Sequence, residues 1–298
     1  MTWLFIAIIA QIILGTSAVF DKLLLKRQFF DPWVYTFWIG IFGGFISLFL
    51  MPFGFLELSI QSRIVALVTG VIFIGGLFFL FTALQRGYAS TTFTLVGALT
   101  PLVTLIIGSA FFRYQLWGVD LLAFSLLVLG GLLFFSAGRK RFYFSGMIFI
   151  FASIAFFGLY TVLTKLVFEQ NSFIAGFIWI KWGAAMAVVL CLAVPALRKR
   201  VFALSHESSG WYRVEYIANM IYAGIGSILV NFAISLAHPA LVDATQSFKY
   251  VVIFIVAWFL LRERFFGRQL VIKIIATALI IFGLVWLGLA YYARSIPV

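Results

Sequence analysis

Polar side chains interrupt one of the long apolar stretches of the chain. The segment AHPALVDATQSFKYVVIFIV, residues 237–256, contains Asp243, Gln246, Lys249 and Tyr250. A charged side chain near the middle of a membrane-spanning helix costs about 2.5–3.5 kcal/mol on insertion scales. Such residues usually face a water-filled cavity or pair with one another. They therefore predict a site that binds a substrate or an ion.

Helical periodicity places these side chains in one polar sector. At about 100° per residue, Asp243, Gln246, Lys249, Tyr250 and also Ser247 fall on a single side of the helix. Asp243 and Lys249 are about 9 Å apart along the helix axis, which is too far for a direct salt bridge. Gln246 lies one turn from each of them and is positioned to relay hydrogen bonds. This spacing leaves room for water or a ligand.

Two further polar residues belong to the candidate site. Lys181, in the segment FIWIKWG, is the third ionisable residue in the middle of an apolar run, and Asn231 precedes the segment that contains Asp243. Either Asp243 and the two lysines line a cavity, or Asp243 pairs with Lys181 or Lys249 only to hold helices together. Cavity lining is the interpretation that predicts a binding site.

The elements that position these residues are membrane spans. The 298 residues are 64% hydrophobic and 10% charged, with a mean hydropathy of +1.16, which is too apolar for a soluble protein of this size. Runs of about twenty apolar residues predict an all-α integral membrane protein with ten transmembrane helices. They lie near residues 2–20, 32–52, 62–84, 88–112, 116–138, 145–167, 173–196, 213–236, 239–262 and 268–292.

Composition also excludes several classes of protein. The net charge of +12 resides in short loops that orient membrane helices, so it does not predict nucleic-acid binding. The longest polar connection, 198–213, is too short for a soluble catalytic domain. Two histidines and one cysteine make a transition-metal site improbable, and a single cysteine excludes an intramolecular disulfide. We expect no cofactor, no metal and no enzymatic activity.

The chain contains two similar halves. GTSAVFDK ends the first span and GLYTVLTK ends the sixth, so Gly15 and Lys22 correspond to Gly158 and Lys165 with a shift of 143 residues. Five spans in each half mean that the second half starts on the opposite side of the membrane. The sequence therefore predicts two inverted five-helix repeats, 1–139 and 140–298, with a site where they meet.

The two repeat-related lysines have alternative roles. Lys22 and Lys165 are either helix-end anchors that extend towards the membrane surface or paired elements of the interface between the repeats, where they would contribute to the site.

Lysine and arginine are distributed unequally between the two sides of the membrane. The ends of spans 1, 3, 5, 7 and 9 and the loops after them carry fifteen of these residues, whereas the opposite side carries four. Because positive loops stay in the cytoplasm, this count places both termini outside.

The fourth span of each half carries a family motif. TPLVTLIIGSAFFRYQ supplies Pro101 in span 4, and KYVVIFIVAWFLLRER ends in Arg-Glu-Arg in span 9. With this organisation the chain resembles the ten-helix EamA-type members of the drug/metabolite transporter superfamily, in which both spans have a mid-helix proline and end in Gly-Glu-Arg. Here Tyr114 replaces the first glutamate and Tyr250 the second proline. Pro101 is expected to kink its helix.

The resemblance implies a secondary transporter that works by alternating access in the cell (cytoplasmic) membrane. It implies export of a small polar or amphipathic metabolite, amino-acid-like or an organic anion, with no organic cofactor and no required oligomer. Lys181 and Lys249 would bind an anionic group, and Asp243 an amine or a proton. The resemblance also implies cytoplasmic termini, opposite to the charge count.

Three other functions are alternatives. A lipid-linked sugar flippase of the same architecture would have a lateral opening and basic residues at headgroup depth. A membrane lipid-modifying enzyme would use His238 of HPALVD, whose spacing to Asp243 matches an acyltransferase pattern. A membrane scaffold would have a closed interior in which every polar group is paired.

Overall fold

The structure is a computed structural model that describes residues 2–25, 31–54, 58–86, 89–137, 144–207, 210–260 and 267–295. These residues are almost entirely helical, and no strand occurs among them, as the all-α prediction requires. The helices are α1 (Thr2–Leu25), α2 (Pro32–Leu48), α3 (Ile60–Arg86), α4 (Ala89–Phe112), α5 (Gly118–Ser136), α6 (Phe144–Gln170), α7 (Phe173–Cys191), α8 (Pro195–Glu207), α9 (Gly210–Leu236), α10 (Pro239–Ala244), α11 (Gln246–Leu260) and α12 (Arg268–Ser295).

The predicted membrane-spanning character is confirmed. In the described ranges, nine segments are long and apolar enough to cross a membrane, and α2 is a shorter apolar helix. Span 7 is shorter than expected, because α7 ends at Cys191 in a turn and Pro195 begins α8. Proline is favoured at that first position because it has no N–H to leave unpaired.

The ninth span is interrupted. His238 begins α10 by accepting a hydrogen bond on Nδ1 from the Ala240 N–H, and Pro239 is the first helical residue. At Thr245 the hydrogen bonds join residues three apart in the chain. The Thr245 hydroxyl donates to the Val242 carbonyl at 2.6 Å, and the Phe248 N–H donates to the Thr245 carbonyl at 2.9 Å. Such hydroxyl bonds to the preceding turn bend helices. The predicted ninth span near 239–262 is confirmed over Pro239–Val256, with this local irregularity at Thr245.

Glycines permit close packing between helices. A Cβ added at Gly40 would lie 2.9 Å from Val188, and one at Gly44 would lie 2.7 Å from Ala185, so α2 packs closely on α7. Gly130 lets α5 pack closely on α12, because a Cβ added there would collide with Ile280. In a membrane, small residues at such contacts let neighbouring backbones approach.

The first helix of each half packs against the other half. α1 contacts α9 and α11, and α6 contacts α3 and α4. A Cβ at Gly15 would lie 2.9 Å from Val252, and one at Gly158 would lie 2.8 Å from Val103. This reciprocal packing agrees with inverted repeats over 1–139 and 140–298, a division that stays a prediction.

Candidate functional site

A cavity of about 360 Å³ lies between helices of both halves. Its lining is mostly apolar and aromatic. Three of the lining residues are ionisable at ordinary pH, namely Lys181 from α7, Asp243 from α10 and Lys249 from α11. The cavity thus brings together the three mid-span ionisable residues that the sequence identifies. Concave, mostly apolar pockets with a few polar groups are typical of small-molecule sites.

Asp243 is held by hydrogen bonds from three helices. Thr104 of α4 donates to Oδ2 at 2.5 Å, Thr161 of α6 is 3.3 Å from Oδ1, and Gln246 of α11 donates to Oδ1 at 3.0 Å. Only 2% of the residue is exposed. Among the described residues it forms no ion pair with Lys181 or Lys249. The alternative of a purely structural ion pair is therefore not what the structure contains.

The polar sector predicted for the ninth span divides in two. Asp243, Gln246 and Lys249 line the cavity, whereas Ser247 and Tyr250 do not. Tyr250 donates to the Phe93 carbonyl at 2.8 Å, and its hydroxyl occupies space left by Gly97 of α4. Ser247 packs against α5: its Oγ would lie 2.7 Å from a Cβ added at Gly131. Because α4 and α5 cover this side of the helix, Tyr250 does not line the cavity, and its role in substrate binding stays a prediction.

Lys181 lies between aromatic rings. Its Nζ is 4.7 Å from the ring centre of Phe73 and 5.1 Å from that of Phe177, and no carboxylate of the described residues pairs with it. Ring faces stabilise a cation without neutralising it. Lys249 has one ring nearby, with Nζ 5.8 Å from the centre of Tyr250. Both amines therefore remain available to an anion in the cavity.

Asn231 also lines the cavity. Its Oδ1 accepts a hydrogen bond from Tyr160 at 2.9 Å, and its Nδ2 donates to the Ser227 carbonyl at 2.8 Å. Both functions of the amide are thus engaged within the protein, and Asn231 fixes the orientation of Tyr160 at the cavity wall.

Lys165 lies outside the cavity, in a polar cluster at one end of the bundle. Its Nζ donates to the Ser235 carbonyl at 3.2 Å and lies 3.6 Å from Glu169. Tyr114, from the first half, donates to Glu169 at 2.5 Å. Burial, reinforced by Glu169, raises the pKa of Tyr114. Lys165 thus pairs within the second half, and its contribution to the interface between the repeats stays a prediction.

His238 does not form the acid–histidine pair that the enzyme alternative requires. Its ring packs edge-on against Tyr114, with centres 6.1 Å apart, and its Nδ1 caps α10. Asp243 instead receives its hydrogen bonds from Thr104, Thr161 and Gln246. Burial lowers the pKa of His238.

Pro101 and Lys22 are the remaining residues of the predicted site. Pro101 lies inside α4, where it supplies no N–H to the carbonyl of Gly97. The kink itself stays a prediction. The side chain of Lys22 lies outside the described residues.

Three residues of the site were missed by sequence reasoning. Thr104 and Thr161 gave no usable signal, because threonine in an apolar helix commonly bonds to its own backbone. Gln11 did give one, since it is the only strongly polar side chain within the run IIAQIIL. It is fully buried and lines the cavity.

In the described part of the chain, no three His, Cys, Asp or Glu residues cluster as a metal site would need.

Comparison with known proteins supports the resemblance. Residues 1–136 match the model of the EamA-like transporter family. A crystal structure of another protein is similar over 99% of both chains, with a TM-score of 0.70 and 16% sequence identity. At that identity the likeness concerns the fold alone. No curated protein matches the sequence. The predicted relation to the drug/metabolite transporter superfamily is confirmed by the family match.

Proposed function

We propose, from the premise that residues 1–136 belong to the EamA-like transporter family, that this chain is a secondary transporter of a small amphipathic or polar metabolite. It would work by alternating access in the cell membrane. The substrate would be amino-acid-like or an organic anion, and no oligomer is required. The lipid bilayer is its other partner.

One observation carries this proposal: Lys181, Asp243 and Lys249 line a single cavity among apolar helices. Ionisable residues are retained at such depth where they face a substrate or proton path. A scaffold would have a closed interior with every polar group paired, which does not fit a cavity of about 360 Å³. A flippase would have basic residues at headgroup depth, whereas Lys181 lies near the middle of α7.

The three ionisable residues would have separate roles. Two amines and one carboxylate favour an anionic group, which Lys181 and Lys249 would bind. Asp243 accepts three hydrogen bonds from uncharged groups, and a carboxylate has about four acceptor positions. It therefore keeps capacity for a proton or an amine from the substrate. Alternating access would expose this site to each side in turn through movement of the two helix bundles.

The experiment is transport by purified protein in liposomes, with a mixture of small carboxylates and amino acids followed by mass spectrometry. We expect uptake that Asp243→Asn reduces at least tenfold and makes insensitive to pH. Asp31→Asn is the matched control, because Asp31 caps α2 outside the cavity and asparagine caps equally well. An Asp243→Asn protein with unchanged rate and pH dependence would falsify the proposed role of Asp243.

Direction of transport needs an oriented assay. The resemblance favours export, which predicts faster accumulation in inside-out vesicles than in right-side-out vesicles. The same preparation tests the two opposite expectations for the termini, through protease access to a tag at the C-terminus.

A further inference from the structure

The cavity contains an amide with no partner. Gln11 of α1 is fully buried, and neither its Oε1 nor its Nε2 has a hydrogen-bond partner in the described part of the protein. The other three amide side chains that line the cavity are engaged. Asn231 bonds to Tyr160 and Ser227, Gln246 to Asp243, and Asn219 to the Ser17 carbonyl.

An unpartnered buried amide is costly, because its donor and acceptor lose their hydrogen bonds to water and gain none in the protein. Buried polar groups are otherwise almost always paired. A ligand in the cavity would recover both bonds if it offered one acceptor and one donor side by side. An N-acylated amino acid does so with its amide N–H, which donates to Oε1, and its carboxylate, which accepts from Nε2, because its trans amide carbonyl points away from the N–H.

The same cavity supplies a cation and an apolar surface. Lys181 is flanked by Phe73 and Phe177 without an acidic partner among the described residues. Several other rings line the space, including Phe93 and Phe157. A ligand that satisfies all three features has a carboxylate, an amide and an apolar group.

We propose that Gln11 is a specificity-determining residue of the transport site and, together with Lys181, selects N-acylated amino acids and similar amide-bearing carboxylates. This inference rests on the proposed function and names the substrate class of the same site. Lys181 binds the carboxylate, Gln11 bonds to the amide, and the aromatic lining contacts the side chain.

Three probes isolate these contacts. N-acetyl-phenylalanine has all three features. 2-Benzyl-4-oxopentanoate replaces its N–H with CH₂, and the methyl ester of N-acetyl-phenylalanine removes its charge. Affinity of each for the purified full-length protein is measured by calorimetry in detergent. We expect the wild type to bind N-acetyl-phenylalanine about tenfold more tightly than either analogue, which corresponds to one hydrogen bond or one charge contact.

Variants then assign each preference to a residue. Gln11→Met keeps the size of the side chain and should reduce the preference for the amide over the ketone to about twofold or less. Lys181→Met should remove the preference for the acid over the ester. Gln11→Glu keeps the acceptors but adds negative charge, and it should weaken binding of both acids about tenfold or more. Gln61→Met is the control, because Gln61 is exposed outside the cavity.

Two outcomes overturn the inference. One is that Gln11→Met changes affinity for amide and ketone equally, or not at all. The other is that the wild type binds none of the probes or binds amide and ketone alike. Uptake of the carboxylate mixture into liposomes separates this failure from failure of the proposed function. Solutes that enter without dependence on Gln11 contradict the substrate class alone, whereas absence of any uptake contradicts transport.

Discussion

The fourth spans of the two halves, α4 and α10–α11, share packing but differ in chemistry. Val103 of α4 packs against Gly158, and Val252 of α11 packs against Gly15. The two valines are separated by 149 residues, as are Pro101 and Tyr250, so they occupy equivalent positions in the motif. Yet the polar side chains of α4 at the site are hydroxyls, those of Thr100 and Thr104, whereas the other span contributes a carboxylate and an amine.

The two halves are therefore alike in packing but not in charge. The contacts that hold the halves together occur twice, because each first helix needs the same close approach to a fourth helix. The charges occur in one half only, so the cavity has unlike sides. A site of that kind orients a substrate that itself has unlike ends, such as an anionic group and an apolar group.

The most severe test of the shared packing is to fill the two glycine contacts. Gly15→Val and Gly158→Val would each force a side chain into a valine and into backbone atoms, the Lys249 carbonyl at 3.1 Å and the Thr104 nitrogen at 3.2 Å. Overpacking of this kind costs about 1–3 kcal/mol or more. We expect both proteins to unfold at clearly lower temperature in detergent, by similar amounts.

Gly288→Val is the control for this pair. Gly288 lies in α12, where the nearest atom to an added Cβ is Leu4 Cδ2 at 3.7 Å, an ordinary contact. If Gly288→Val lowered the unfolding temperature by the same amount, the effect would come from a valine at any helical glycine and not from these two contacts. A large loss at only one of Gly15 and Gly158 would contradict equivalent packing.

A second, smaller effect tests the chemical difference between the fourth spans. Thr104→Val removes the 2.5 Å hydrogen bond to Asp243 and keeps the shape of the side chain. Hydrogen bonds to charged groups are worth about 1.5–3 kcal/mol, so transport should fall tenfold or more. Thr161→Val should have a weaker effect, because the single hydrogen of that hydroxyl is shared between the Phe157 carbonyl at 3.1 Å and Asp243 at 3.3 Å. Initial rates in liposomes measure both.

Thr100→Val supplies the matched control. Thr100 lines the cavity, but its hydroxyl donates to the Val96 carbonyl and not to Asp243. If Thr100→Val reduces transport as much as Thr104→Val does, the hydrogen bond to Asp243 has no special role.

Much of the fold follows from hydropathy and small residues. Ten apolar runs predict the spans because each must satisfy its own backbone hydrogen bonds inside the membrane. The contacts at Gly40, Gly44 and Gly130 follow because only small residues let membrane helices approach closely. The cost of burying charge also identifies Lys181, Asp243 and Lys249 without a structure.

The rest of the site depends on which neighbour covers which side of a helix. A helical wheel gives Tyr250 and Asp243 nearly the same direction, yet α4 covers Tyr250 through Gly97 while Asp243 reaches the cavity. The interruption at Thr245 is equally hidden, because threonine is common in uninterrupted membrane helices. The bond from Thr104 to Asp243 joins residues 139 apart in the chain, a distance at which one sequence gives no information on contact.

The smallest expected effect concerns the end of α4, where Tyr114 stands in place of the family glutamate. Its hydroxyl donates to Glu169 and links the two halves at the end of the bundle. Tyr114→Phe keeps the packing against His238 and Phe112 but removes this bond, which is exposed to solvent and therefore worth only about 0.5–1.5 kcal/mol. We expect a two- to fivefold change in transport rate and a slightly lower unfolding temperature.

Glu169→Gln separates the two contacts of that carboxylate. The amide oxygen still accepts from Tyr114, whereas the ion pair with Lys165, 3.6 Å long and partly exposed, is lost at a cost of about 0–1 kcal/mol. If the link between the halves limits the rate, Tyr114→Phe changes transport and Glu169→Gln does so less. The reverse order would assign the effect to Lys165, and with it to contacts within the second half alone.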